Sequence, residues 1–139
     1  MKLFAITLRI VAPIFLVVGL IHLVFGVAAE VMLGADISDA SLGDATLDSQ
    51  NRFYGMAFTS YGVLLFICAK DPVRYKPVIA ALLWVFLAAG MARLVSIVMV
   101  GIPSPMVLAL MALELIAPPI ALVWLHNVVL SPQKGDRVA

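Results

Sequence analysis

Apolar residues occur in four long stretches, roughly 10–29, 53–69, 78–100 and 106–129, separated by short polar segments. Each stretch is about the length of one bilayer crossing, which takes about 20 mostly apolar residues. The first connection, Gly34 to Gln50, contains Asp36, Asp39, Asp44 and Asp48 among small polar residues, and is expected to be one polar loop spanning 34–50. The second, Lys70 to Pro77, is short and basic, and its two prolines stop one helix and start the next. The third, Gly101-Ile102-Pro103-Ser104-Pro105, is a turn of the kind that joins antiparallel neighbours. Ser131 to Ala139 reads as a polar tail.

Composition agrees with that pattern. Of 139 residues 64% are apolar and 12% charged, with a mean hydropathy of +1.14, against about 45–50% apolar and about 25% charged in soluble domains. The chain has room for one integral membrane domain over residues 1–139 and none for a separate soluble catalytic domain. The N-terminal apolar run exceeds the 7–15 residues of a signal h-region and is expected to remain as an uncleaved first helix. The predicted fold class is therefore all-α, a polytopic membrane protein built as a four-helix transmembrane bundle. Net charge is +1 without a clustered basic face, which argues against nucleic acid as a partner.

Seven of the nine basic residues, Lys2, Arg9, Lys70, Arg74, Lys76, Lys134 and Arg137, fall on one side of a four-crossing topology. The positive-inside rule makes that side cytoplasmic, with both termini in and the Asp-rich loop out. Trp84 and Trp124 then come out toward the inner interface, where indoles prefer to sit.

Two charges lie within the apolar stretches: Arg93 in the third and Glu114 in the fourth. Insertion of such a residue near a helix centre costs about 2.5–3.5 kcal/mol, so each is expected to be paired or functional. At 1.5 Å per residue Arg93 lies about 10 Å, and Glu114 about 12 Å, from the outer helix ends, which predicts an Arg93–Glu114 ion pair. The same count places His22 and Tyr61 at about 10 Å and 12 Å, so each helix supplies one polar group to a shared layer. Asn51, Tyr54, Phe58 and Tyr61 form a stripe down one helix face, with Arg52 at its mouth. Gly19 and Gly26 flank His22, while Gly55, Thr59 and Gly62 make a small-residue face suited to helix packing. Pro118 and Pro119 are expected to kink the fourth helix, freeing the carbonyls of Glu114 and Leu115. Ser96 stands one turn from Arg93 and could line a cavity there.

The candidate ligand-binding residues are thus His22, Asn51, Arg52, Tyr54, Tyr61, Arg93, Ser96 and Glu114, with no catalytic residue and no metal site assigned. One cysteine, Cys68, precludes an internal disulfide or a multi-thiolate cluster. His22 lacks an opposing second histidine for haem, and paired Glu-x-x-His motifs of di-iron bundles are missing. The acidic loop lacks a calcium-loop pattern, and neither a P-loop nor a dinucleotide fingerprint occurs, so the cofactor is left unknown.

Several motifs fall together in order: Gly19-Leu20-Ile21-His22, then Asp48-Ser49-Gln50-Asn51-Arg52-Phe53-Tyr54-Gly55, then Gly90-Met91-Ala92-Arg93-Leu94-Val95-Ser96. Gly101-Ile102-Pro103-Ser104-Pro105 and Glu114 with Pro118-Pro119 come after them. Over almost its whole length the chain resembles the small bacterial membrane proteins of the domain of unknown function 4345 family, which are distantly similar to the DoxX/DoxD-like group. The resemblance implies a four-helix protein of the bacterial inner membrane and transfers no substrate, cofactor or catalytic residue. The expected function is binding of a small amphipathic or anionic lipophile, such as a quinone, fatty acid or lipid, in an intramembrane polar pocket. The alternative is a non-catalytic accessory or assembly subunit of a larger membrane complex, or a homo-oligomer, with a purely structural polar layer. An enzyme using His22 and Glu114 in acid–base roles ranks third, because no nucleophile or metal accompanies them.

Overall fold

The computed structural model describes the backbone of residues 2–130 and the side chains of residues 2–127. Six helices follow in order among these residues: α1 (Lys2–Phe25), α2 (Ala28–Met32), α3 (Asp39–Leu42), α4 (Ala45–Cys68), α5 (Lys76–Met99) and α6 (Pro105–Leu130). No strand occurs among the described residues. Among the described residues three helices are long and apolar enough to cross a membrane: Lys2–Phe25, Lys76–Met99 and the Pro105–Asn127 portion of α6. Only 22%, 17% and 11% of their most apolar windows are buried, so most of their Val, Leu and Ile side chains face outward. Water would penalise such a surface at about 25 cal/mol per Å², whereas hydrocarbon does not.

The boundaries depart from the hydropathy pattern where capping chemistry competes with it. The first helix does not cover 10–29: it begins at Lys2 and ends at Phe25. Gly26 adopts the left-handed conformation, φ +58°, and its N–H returns to the His22 carbonyl at 2.8 Å, a glycine stop within an apolar run. Ala28 and Ala29 belong instead to the short α2.

The expected loop 34–50 is largely helical. Ser38 caps α3, its Oγ accepting from the Ser41 N–H. Asp44 Oδ1 then accepts from Thr46 N at 2.7 Å and Leu47 N at 3.0 Å, opening α4 eight residues before the expected start at Phe53. α4 has its charged residues, Asp48 and Arg52, near its start and Thr59, Ser60 and Tyr61 further along, which is why it falls outside the three apolar spans while its second half matches the expected segment. α5 and α6 lie within two residues of the expected 78–100 and 106–129, each opened by proline in the first turn. α6 runs unbroken through Pro118 and Pro119, and α1 through Pro13. These prolines remove individual backbone bonds without ending a helix. The tail from Ser131, with Lys134 and Arg137, lies outside the described residues.

By contact density the chain divides into two compact units, Leu8–Ile67 and a second that joins the start of α1, through Thr7, to the chain from Cys68 onward. In the first unit the partners are α1 and α4; in the second, α5 packs along α6, and Phe4 meets Trp124 edge-on at 5.1 Å.

Candidate functional site

In the unit Leu8–Ile67, glycines determine how near two helices come. A Cβ on Gly19 would strike the Thr59 backbone and the Gly55 carbonyl; one on Gly55 would strike Leu23 and Gly19; one on Gly62 would meet Ala12 and Leu16. The small residues of α1 and α4 are therefore the two sides of one seam. Thr59 turns its hydroxyl onto the Gly55 carbonyl at 2.9 Å, so the polar group in the seam is satisfied.

That seam aligns a row of rings. Tyr61 packs on Phe15 at 4.6 Å between centroids, Phe15 on Phe58 at 6.1 Å, and Phe58 on the His22 imidazole at 6.5 Å. His22 is 7% exposed. Its Nδ1–H donates to the Val18 carbonyl at 2.8 Å, which fixes the tautomer and turns Nε2 toward Glu30 Oε1, 3.5 Å away. Glu30 has no place among the sequence candidates. The signal that could have found it is the glycine stop at Gly26, which folds the chain back so that a carboxylate eight residues on returns to the imidazole.

Arg52 and Asp48 form a clasp over the end of α1. Arg52 Nε donates to Asp48 Oδ2 at 2.7 Å, while Nη1 donates to the Leu23 and Val24 carbonyls, both at 2.9 Å. Asp48 Oδ1 accepts from the Val27 N–H at 3.3 Å, beside Gly26. A cation on last-turn carbonyls satisfies them and opposes the negative end of the helix dipole. Arg52, expected at the mouth of a pocket, is thus engaged in closing α1. The Arg52 bond, foremost, and the Val27 N–H hold the Asp48 carboxyl below its ordinary range; the Leu47 and Thr46 amides do the same for Asp44.

The remaining stripe residues separate. Tyr54 is exposed and lies against Phe53, centroids 6.0 Å apart, away from the ring row. Asn51 Nδ2 donates to the Leu47 carbonyl at 3.3 Å, and its Oδ1 is buried without a partner among the described residues. Ser49, Gln50 and Phe53 line a shallow depression of about 340 Å³ beside it.

The second unit contains the two charges of the apolar helices. Arg93 Nε donates to Glu114 Oε2 at 2.8 Å, with side-chain exposures of 34% and 5%. The pair joins α5 to α6, as the depth count across a tight turn predicts. Gly90, one turn before Arg93, makes it reachable: a Cβ there would lie 3.0 Å from Glu114 Cβ and from the Leu115 side chain. Pro118, fully buried one turn beyond Glu114, leaves the Glu114 carbonyl without its helical donor. Ser96 is exposed one turn after Arg93. Arg93 Nη1 and Nη2 have no hydrogen-bond partner among the described residues. A guanidinium carries five N–H donors in a planar fork, so this one is satisfied on one edge and open on the other.

No group of three or more His, Cys, Asp or Glu side chains among the described residues could hold a metal ion. Chemically, the first unit offers an imidazole facing a carboxylate at 3.5 Å, and the second an ion pair with open donors. Comparison with curated proteins and with solved structures finds no match. The family model for the domain of unknown function DUF4345 matches residues 3–125, and the chain therefore belongs to the DUF4345 family.

Proposed function

We propose that the protein is a four-crossing bundle of the bacterial inner membrane that binds a small amphipathic or anionic lipophile, with Arg93 as the anchor for its polar head. In this reading α4 supplies the fourth crossing from Phe53 onward, and both termini are cytoplasmic, a reading that the basic residues near the helix ends support. The observation that supports it is the open edge of Arg93. A guanidinium on a helix apolar enough to cross a membrane, bonded through Nε alone, leaves unfilled donors where water is excluded. Glu114, 5% exposed, orients the fork and balances its charge. Ser96, one turn along α5, is exposed.

Native mass spectrometry of the full chain in mild detergent, with extraction of lipids and quinones, tests the reading. Wild type should release a lipophile that folded Arg93→Ala protein lacks. Equal occupancy in folded Arg93→Ala removes the anchor. An empty wild type overturns the binding function and leaves the pair a structural contact, in a protein that then acts by docking onto other membrane subunits.

A further inference from the structure

Given the binding function proposed above, on which this inference rests, the ion pair constrains the ligand further. α5 runs from Lys76 to Met99, so Arg93 lies five to six residues past its middle, about 8 Å at 1.5 Å per residue. Glu114 lies two residues from the middle of Pro105–Asn127, about 3 Å. The hydrocarbon layer extends about 15 Å to each side of the midplane. An arginine at the depth of Arg93 ordinarily snorkels, carrying its guanidinium up to the headgroups. Here the Nε bond to Glu114 Oε2 holds the guanidinium between the levels of the two residues, inside the hydrocarbon layer.

That placement acts on the ligand in two ways. The phosphate of a bilayer phospholipid sits outside the hydrocarbon layer and would have to descend into it to reach the fork. The second concerns charge: Arg93 and Glu114 already sum to zero, and Glu114 is almost wholly buried. An added carboxylate would leave one uncompensated negative charge at that depth, a large desolvation penalty. An uncharged oxygen acceptor fills the open Nη donors and keeps the sum at zero.

We infer that the site takes an uncharged lipophile whose carbonyl oxygen accepts from the open edge of Arg93, in preference to an anion or a phospholipid. Two sources present that chemistry: the ring carbonyl of a quinone, and the carbonyl of a neutral single-chain ester.

Purified full-length protein in detergent is titrated with decyl-benzoquinone, methyl laurate and laurate at pH 8, with binding read by native mass spectrometry and by ligand-induced thermal shift. Wild type should bind one or both neutral probes at least about tenfold more tightly than laurate, the quinone and ester arms separating the two sources. Folded Arg93→Ala should lose that preference. Glu114→Gln, which leaves the guanidinium unbalanced, should gain laurate binding by a similar factor. Laurate binding equal to or tighter than the neutral probes in wild type overturns the inference while the binding function stands. If wild type binds none of the three probes, or Arg93→Ala binds all of them unchanged, the inference and the Arg93 anchor fall together. Should Glu114→Gln not fold, the wild-type ratio of neutral to anionic binding decides alone.

Discussion

At the residue scale, side chains of the same type perform different work according to what they meet. Arg52 donates to two last-turn carbonyls and a carboxylate, whereas Arg93 has one partner and an open edge. Replacing Arg93 by Ala strands the buried Glu114 carboxylate and should destabilise the fold by up to about 3–5 kcal/mol, the usual consequence of leaving a buried charge unpaired. Glu114→Gln keeps an acceptor for Nε and should cost less; reversible unfolding in mixed micelles compares the two. Asp44 and Asp48 behave differently because both are bonded at the surface in their charged forms. Their carboxyls lie below the ordinary value near 4, so their contribution is complete above that value and fades as pH falls through the lowered folded-state value. The Thr46 and Leu47 amide resonances should move together in that acidic window in wild type, and in Asp44→Asn that movement should vanish.

Among the elements, the α1–α4 seam is determined by the absence of side chains. Gly55→Ala pushes a methyl group into the Leu23 backbone, and an overpacked contact of this kind costs about 1–3 kcal/mol. Gly43→Ala meets only Asp39 and Ala40 carbonyls at 3.8 and 3.9 Å and should be near neutral, which makes it the control in the same thermal-unfolding series. Gly26→Ala combines two penalties: about 1–2 kcal/mol for a Cβ in the left-handed conformation, and displacement of Asp48 from the Val27 N–H. It should lower the melting temperature more than Asp48→Asn does. The hydropathy pattern locates the long helices but misplaces their ends near Gly26 and Asp44. Both errors have one cause, since a cap is a single-residue event that a window of 20 apolar residues averages away.

For the molecule as a whole, the outward surface is itself informative. Val98, Val100 and Ile102 are 80% or more exposed, and most of the surface of α1, α5 and α6 is equally apolar. The proposed topology predicts a labelling pattern. In a Cys68→Ala background, Asp39→Cys should react with a membrane-impermeant maleimide added to intact cells, and Val73→Cys only after permeabilisation. The reverse pattern would invert the orientation; labelling of both from outside would remove the fourth crossing.

Much of this protein is legible in its amino-acid sequence by itself. Apolar runs of bilayer length specify helices because every backbone group must bond within its own segment when water is missing. An arginine and a glutamate within one helical turn of each other in depth, on helices joined by a five-residue turn, pair because neither charge can stay alone in hydrocarbon. Tertiary structure alone decided which residues became structural and which stayed open. Arg52 was consumed by the α1 carbonyls, Glu30 was brought to His22 by a glycine turn, and Tyr54 was turned away from the ring row. Hydropathy and depth are one-dimensional properties that counting along the chain recovers. The partner of a particular donor depends on helix rotation and on close approach at glycines, both of which are set by packing in three dimensions.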